Sequence, residues 1–224
     1  MRIQVLGVGG AFNPEIGNSS IIIWDDNGGF LIDCGYTVYP ILKEKNLIDK
    51  INRIFITHRH GDHIGSLDIF LYHKRFMYSQ KVEFFGVTEH LEYLKQIDPS
   101  FDKDFDQYFE GSKSKSVVTL PVIHSEGVPS EAFYNFGILY SGDSSESLLD
   151  TPQAQEAKVI LHEVTFNKIT VHTDFVALAR ASETIKQKTW LYHYNVGEDK
   201  KFESKVRMHG FAGFLKKDQV IEIK

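Results

Sequence analysis

Apolar residues fall in short blocks along most of this chain, and the blocks read as strands more often than as helices. Residues 2–8, 19–24 and 30–35 form three of them. Between the second and third, Asp25-Asp26-Asn27-Gly28-Gly29 supplies the residues a tight hairpin turn requires. Residues 52–57, 82–87, 116–123, 132–141, 158–162, 190–192 and 219–223 predict further strands. Elsewhere the apolar spacing turns helical, at 39–45, 64–76 (Ile64, Leu67, Phe70, Leu71), 88–96 and 175–188. The stretch 98–115 is polar and aromatic, with Phe101, Phe105, Tyr108 and Phe109 near helical spacing and Ser112-Lys113-Ser114-Lys115 expected as a mobile loop. Strands with intervening helices predict an α/β sandwich: two β-rich halves packed together, helices outside. No stretch of 1–224 has the composition of a linker, so one domain is expected.

Composition narrows the chemistry. The chain of 224 residues is long enough to bury a core without disulfide staples. Cys34 is the only cysteine, which excludes an intrachain disulfide and Cys-rich zinc modules. A net charge of -5 works against binding a long nucleic acid. No apolar run approaches 18 residues, so no membrane span is expected. Met1-Arg2-Ile3 leads straight into strand-like sequence without the pattern of an export signal. The expected location is therefore the cytoplasm, that of the host if the chain is phage-encoded.

The strongest chemical signal is His58-Arg59-His60-Gly61-Asp62-His63, three imidazoles and a carboxylate placed between a strand and a helix. An i, i+2 histidine pair converges on one ion only if the backbone is extended or turning. Gly61 is expected to give the freedom that re-aims Asp62 and His63. Three later strands end in the same chemistry: Val122-Ile123-His124, Tyr140-Ser141-Gly142-Asp143 and Leu191-Tyr192-His193. His73 and His90 fall on predicted helices and are assigned to surface or core.

The order His-x-His-x-Asp-His, His, Asp, His resembles the metallo-β-lactamase superfamily over nearly the whole chain, which implies its αββα sandwich. By that resemblance one metal takes His58, His60 and His124, a second takes Asp62, His63 and His193, and Asp143 bridges them. Two zinc ions are implied, with manganese as the alternative. Asp33 matches a position near such sites, where it orients a ligand or caps a turn. Leu161-His162-Glu163-Val164-Thr165-Phe166 and Val171-His172-Thr173 resemble the paired loops of the tRNase Z branch. There Glu163 orients His172 as general acid, His162 is a support residue, and Asp62 joins the catalytic group.

The chain departs from tRNase Z in one place. That branch carries a long arm between the third histidine and the bridging aspartate, whereas here His124 and Asp143 are 19 residues apart. The opening Leu6-Gly7-Val8-Gly9-Gly10-Ala11-Phe12-Asn13 and the run Leu31 to Tyr36 look like the short anti-Pycsar enzymes, which hydrolyse cyclic mononucleotides. The resemblance therefore implies a dinuclear phosphodiesterase that turns a cyclic mononucleotide into a linear monophosphate, working as a homodimer on a small nucleotide. A tRNase Z-like endoribonuclease and a thioester or ester hydrolase are the alternatives.

Overall fold

The computed structural model describes residues 1–103, 105–110, 117–167 and 169–223. Among the described residues a seven-stranded sheet runs in the order β13-β1-β2-β3-β4-β5-β6. Its strands are β1 (Arg2–Gly7), β2 (Ser20–Asp25), β3 (Gly28–Ile32), β4 (Ile51–Phe55), β5 (Val82–Gly86), β6 (Phe105–Glu110) and β13 (Val220–Glu222). A six-stranded sheet runs β12-β11-β10-β9-β8-β7. It is built from β7 (Val118–Pro121), β8 (Glu131–Asn135), β9 (Ile138–Tyr140), β10 (Val159–Glu163), β11 (Thr189–Tyr192) and β12 (Gly213–Phe214).

Alternation along the strands of the first sheet sorts its side chains into two cores. Ile3, Val5, Ile21, Ile23, Phe30 and Ile32 pack against Phe133, Leu139, Leu161 and Leu191 of the second sheet. Their neighbours Ile22, Leu31, Ile54 and Phe84 pack the other way, beneath α1 (Val38–Glu44), α3 (Leu67–Tyr78) and α4 (Thr88–Ile97). Each such side chain, fully buried, stabilises the fold by about 1.5–3 kcal/mol. The mixed sheets with helices outside are those of a metallo-β-lactamase-type αββα sandwich.

Parallel pairing decides where chemistry collects. Strands β3, β4 and β5 are mutually parallel, as are β9, β10, β11 and β12. Asp33 follows β3, His58 follows β4, Asp143 follows β9, Glu163 ends β10 and His193 follows β11. All five therefore emerge at carboxyl ends of parallel strands, where open α/β sheets form a crevice.

The structure corrects several expected elements. The helix expected at 64–76 is two, α2 (Gly61–Ile64) and α3, with Ser66 between them. The Ser66 hydroxyl donates to Gly35 O and accepts from Tyr39 N, which ties the break to α1. The strand expected at 132–141 is the hairpin β8–β9, turned by Phe136 and Gly137, both at positive φ. The helix expected at 175–188 is α6 (Phe175–Leu178) and α7 (Glu183–Lys186); α5 (Pro152–Glu156) precedes them and α8 (Glu198–Met208) follows. The aromatic spacing near 105–109 belongs to strand β6, paired in parallel with β5, and not to a helix. The loop expected at 112–115 lies outside the described residues.

Candidate metal centre

The crevice gathers all seven expected ligands. His58, His60 and His124 form one group, and Asp62, His63, Asp143 and His193 another, each with its ligand atoms within 4.8 Å of one another. In the first group, His58 Nε2 and His124 Nε2 each lie 3.0 Å from His60 Nδ1. In the second, Asp62 Oδ2 lies 3.4 Å from His63 Nε2 and 3.2 Å from His193 Nε2. Asp143 reaches both groups. Its Oδ1 is 3.4 Å from His63 Nε2; its Oδ2 is 3.3 Å from His193, 3.8 Å from His124 and 3.9 Å from His58.

Backbone and neighbours fix which ring nitrogen faces inward. His124 Nδ1 donates to Val171 O at 2.8 Å. Thr57 Oγ1 donates to Asp33 Oδ2 at 3.0 Å and so accepts from His58 Nδ1 at 3.1 Å. Both Nε2 atoms therefore present lone pairs to the same atom of His60. Burial foremost, with the neighbouring imidazoles, holds His58, His60 and His124 below the usual histidine range, so these rings are neutral. Neutral imidazole is the form that binds metal.

The second group has the opposite electrostatics. Burial disfavours charge on His63, yet Asp143, Asp62 and Asp33 push its pKa well above the usual value. His193 is likewise raised, to about 8, as Asp143 and Asp62 outweigh its burial. Burial opposes ionisation of Asp62 and Asp143 too, but the facing imidazoles hold both below the usual carboxylate range. These carboxylates draw positive charge into the crevice.

The donor set suits divalent metal ions. Nitrogen and oxygen donors around a tetrahedral zinc at about 2.0–2.1 Å stand about 3.3–3.4 Å apart, which matches the 3.2–3.4 Å spacings about Asp62 and Asp143. Among the described residues, the buried atoms His63 Nε2 and Asp143 Oδ1 have no hydrogen-bond partner, as expected of atoms meant for an ion.

Asp33 is fully buried and orients ligands. Its Oδ2 takes His63 Nδ1 at 2.8 Å, and its Oδ1 takes Thr57 N at 2.8 Å. It holds this position at φ 63, in the left-handed region that non-glycine residues rarely occupy; His193 does the same at φ 62. Asp33→Ala would leave the Thr57 and His63 donors buried and unpaired. The expected result is a metal affinity 10–100-fold weaker and metal-free protein destabilised by about 1–3 kcal/mol per orphaned donor. Chelator competition and thermal unfolding measure the two effects; unaltered affinity would make Asp33 a turn residue only.

Gly61 works differently from the expectation. It lies outside the positive-φ set, and a Cβ there would run into the Tyr36 ring, so the position demands space and not conformational freedom. Gly10 has the same duty against His193, whose Cε1 would be 2.8 Å from an added Cβ.

Glu163 and His172 stand beside the cluster. Glu163 Oε1 accepts from Ser144 N at 2.9 Å and Thr173 N at 3.1 Å, while Oε2 meets His172 Nδ1 at 3.1 Å. Burial holds Glu163 above the usual carboxylate range, although the His172 hydrogen bond opposes it. His172 Nδ1 is also 3.9 Å from Asp143 Oδ2, within reach of a ligand position. Because that nitrogen is engaged by Glu163, Nε2 is the atom left for chemistry. His162 supports the arrangement from behind, donating from Nδ1 to Glu163 O and accepting Leu148 N at Nε2.

A cavity of about 290 Å³ opens over the cluster, lined by His60, Asp62, His124, Asp143, His172 and His193 at its polar part. Sequence patterns did not expose the contributions of Val171 O, Thr57 Oγ1 or the Asn13–Asn195 amide pair at its edge (Nδ2 to Oδ1, 2.9 Å). A backbone carbonyl leaves no signature in residue type; the amide pair joins positions 182 residues apart. His90 is buried and His73 bonds Tyr39, away from the cluster.

Comparison with known proteins agrees with the geometry. The family described as anti-Pycsar protein Apyc1 matches residues 1–221. An anti-Pycsar protein Apyc1 of Paenibacillus harenae is 28% identical over 219 residues, covering 87% of this chain and 90% of its own. Among solved structures, a diphosphatase of the PhnP family superposes with a TM-score of 0.80 at 17% identity, covering 100% and 98% of the two chains. The short form of human tRNase Z superposes at 0.71 with 19% identity, covering both chains fully.

Proposed function

The chain belongs to the anti-Pycsar protein Apyc1 family, and from that premise we propose that it is a dinuclear phosphodiesterase that hydrolyses cyclic mononucleotides to linear monophosphates. The observation that carries the reading is the dyad: a histidine steered by a buried carboxylate at 3.1 Å, lining the same cavity as five of the seven clustered ligand side chains. Hydrolysis of a phosphodiester needs a nucleophile at phosphorus and a proton for the departing alkoxide. Bound divalent cations supply charge neutralisation at the phosphoryl oxygens and acidify water.

The protein's own groups do the rest. His58, His60 and His124 would hold one cation, Asp62, His63 and His193 the other, and Asp143 both. His172 donates from Nε2 to the leaving ribose oxygen as its bond to phosphorus breaks. Glu163 keeps the ring oriented through Nδ1. Asp62, whose Oδ2 faces His63 Nε2 and His193 Nε2, would join the catalytic group by helping to hold the second cation. Zinc is the cation we assign, manganese the alternative, and a homodimer the working assembly. No described helix is long and apolar enough to cross a membrane.

The chain between His124 and Asp143 bears on substrate size. It makes only the hairpin β8–β9 and its flanking turns, where the tRNase Z branch inserts its arm. With a net charge of -5, little counterion release is on offer to a long RNA. Purified metal-loaded protein should turn over cyclic mononucleotides far better than a tRNA precursor, a thioester or a lactam. Specific cleavage of the precursor with cyclic nucleotides untouched would transfer the protein to the RNA-processing reading.

A further inference from the structure

We propose that the Phe12 ring is the platform on which the base of the substrate stacks, an inference that rests on the nucleotide reading above. Phe12 is 94% exposed, the most exposed large apolar side chain among the described residues. A single exposed apolar residue is ordinary. This one differs in its company and its mounting.

Its company is the apolar part of the same cavity. Phe12 and Ala11 line it together with Val164, Ile169 and Val171, and Ile169 is itself 44% exposed. The two apolar rims reach the cluster from different sides. Gly10 stands against the ring of His193, whose backbone N–H donates to Val8 O at 2.7 Å. Val171 stands against His124, whose ring it holds by its carbonyl. A polar floor of imidazoles and carboxylates thus lies between apolar edges. A nucleotide has the matching division, a phosphate at one end and a flat aromatic base at the other.

Its mounting is stiff. Gly9 N donates to Gly17 O at 2.7 Å, Ser19 N to Gly9 O at 2.9 Å, and Asn13 N to Gly10 O at 3.1 Å. The Asn13 side chain spans to the far loop, donating to Asn195 Oδ1 and accepting from Val196 N, both at 2.9 Å. A loop held at so many points presents its aromatic ring to solvent without the ordering cost that a loose loop would incur on binding. Stacking on an aromatic face tolerates any base, because every base has a π-face. Phe12 therefore sets preference for a base over none, and does not choose among bases.

The experiment compares substrates with and without a base. Phe12→Ala should raise KM for a cyclic mononucleotide about 5- to 100-fold, and Phe12→Tyr should restore it. A ribose cyclic phosphate lacking the base should show no such change in KM. Equilibrium dialysis gives a readout free of turnover. Metal-loaded wild type should bind a nucleoside 5′-monophosphate more tightly than ribose 5-phosphate, and Phe12→Ala should erase the difference. If wild type hydrolyses no cyclic nucleotide, the proposed function falls, and the dialysis still decides the role of Phe12. Equal binding of nucleotide and ribose phosphate by wild type overturns the inference. So does a Phe12→Ala protein whose KM rises equally on both substrates, or whose oligomeric mass changes in place of its KM.

Discussion

Asp143→Ala is expected to take hydrolysis to background and to strip at least one metal from the protein. Asp143 approaches both ligand groups, four of their imidazoles lying 3.3–3.9 Å from its oxygens. Two dications held as closely as two-metal sites hold them, about 3.5–4 Å, repel by well over 10 kcal/mol at an effective dielectric of about 20. A negative bridge offsets part of that repulsion, and an alanine offers none. Asp143→Asn keeps the shape without the charge and should fail almost as badly, which separates electrostatics from packing. Elemental analysis with turnover on the same sample makes the check. Full activity with one metal or none would end the two-metal account.

His172→Ala should cut kcat on a cyclic mononucleotide by about 10²–10⁴, the usual contribution of a positioned general acid, at unchanged metal content. Glu163→Gln should do less harm, because the imidazole remains. The diagnostic lies in the leaving group. A nitrophenyl phosphodiester departs as a stable phenolate and needs no proton, so its hydrolysis should suffer far less in His172→Ala. The 3.9 Å approach of His172 to Asp143 makes the metal assay necessary. Loss of metal would place His172 among the ligands; either that or equal loss on both substrates would refute the acid assignment.

The clustered histidines and aspartates were legible because chemistry and position coincide in them. His58 to His63, His124, Asp143 and His193 each follow a block of apolar residues, and the fold places the ends of those blocks on one crevice. The hairpin at Phe136-Gly137 was not legible, since phenylalanine at φ 56 is an unusual turn residue and the apolar run continues through it. Helix α8 was missed because its face offers mainly Val206 and half-buried Phe202 to the core. Its charge order, Glu198 and Asp199 first with Lys205 and Arg207 last, was the signal available. The double helix at 175–186 misled because its apolar residues continue at helical spacing across Ala179 to Ser182, where the backbone leaves the helix. Asp33 was only half legible: the position was visible, its grip on both Thr57 and His63 was not.

Val171 meets the cluster through its carbonyl and the cavity through its side chain. Those two duties rest on different atoms. Every residue type has a carbonyl, so the wall at this position can be enlarged, trimmed or made polar while the His124 ring keeps its acceptor. Mutational drift there would alter which molecules fit and leave the reactive core assembled. The arrangement allows substrate choice to diversify within one lineage without each step passing through an inactive, metal-free intermediate.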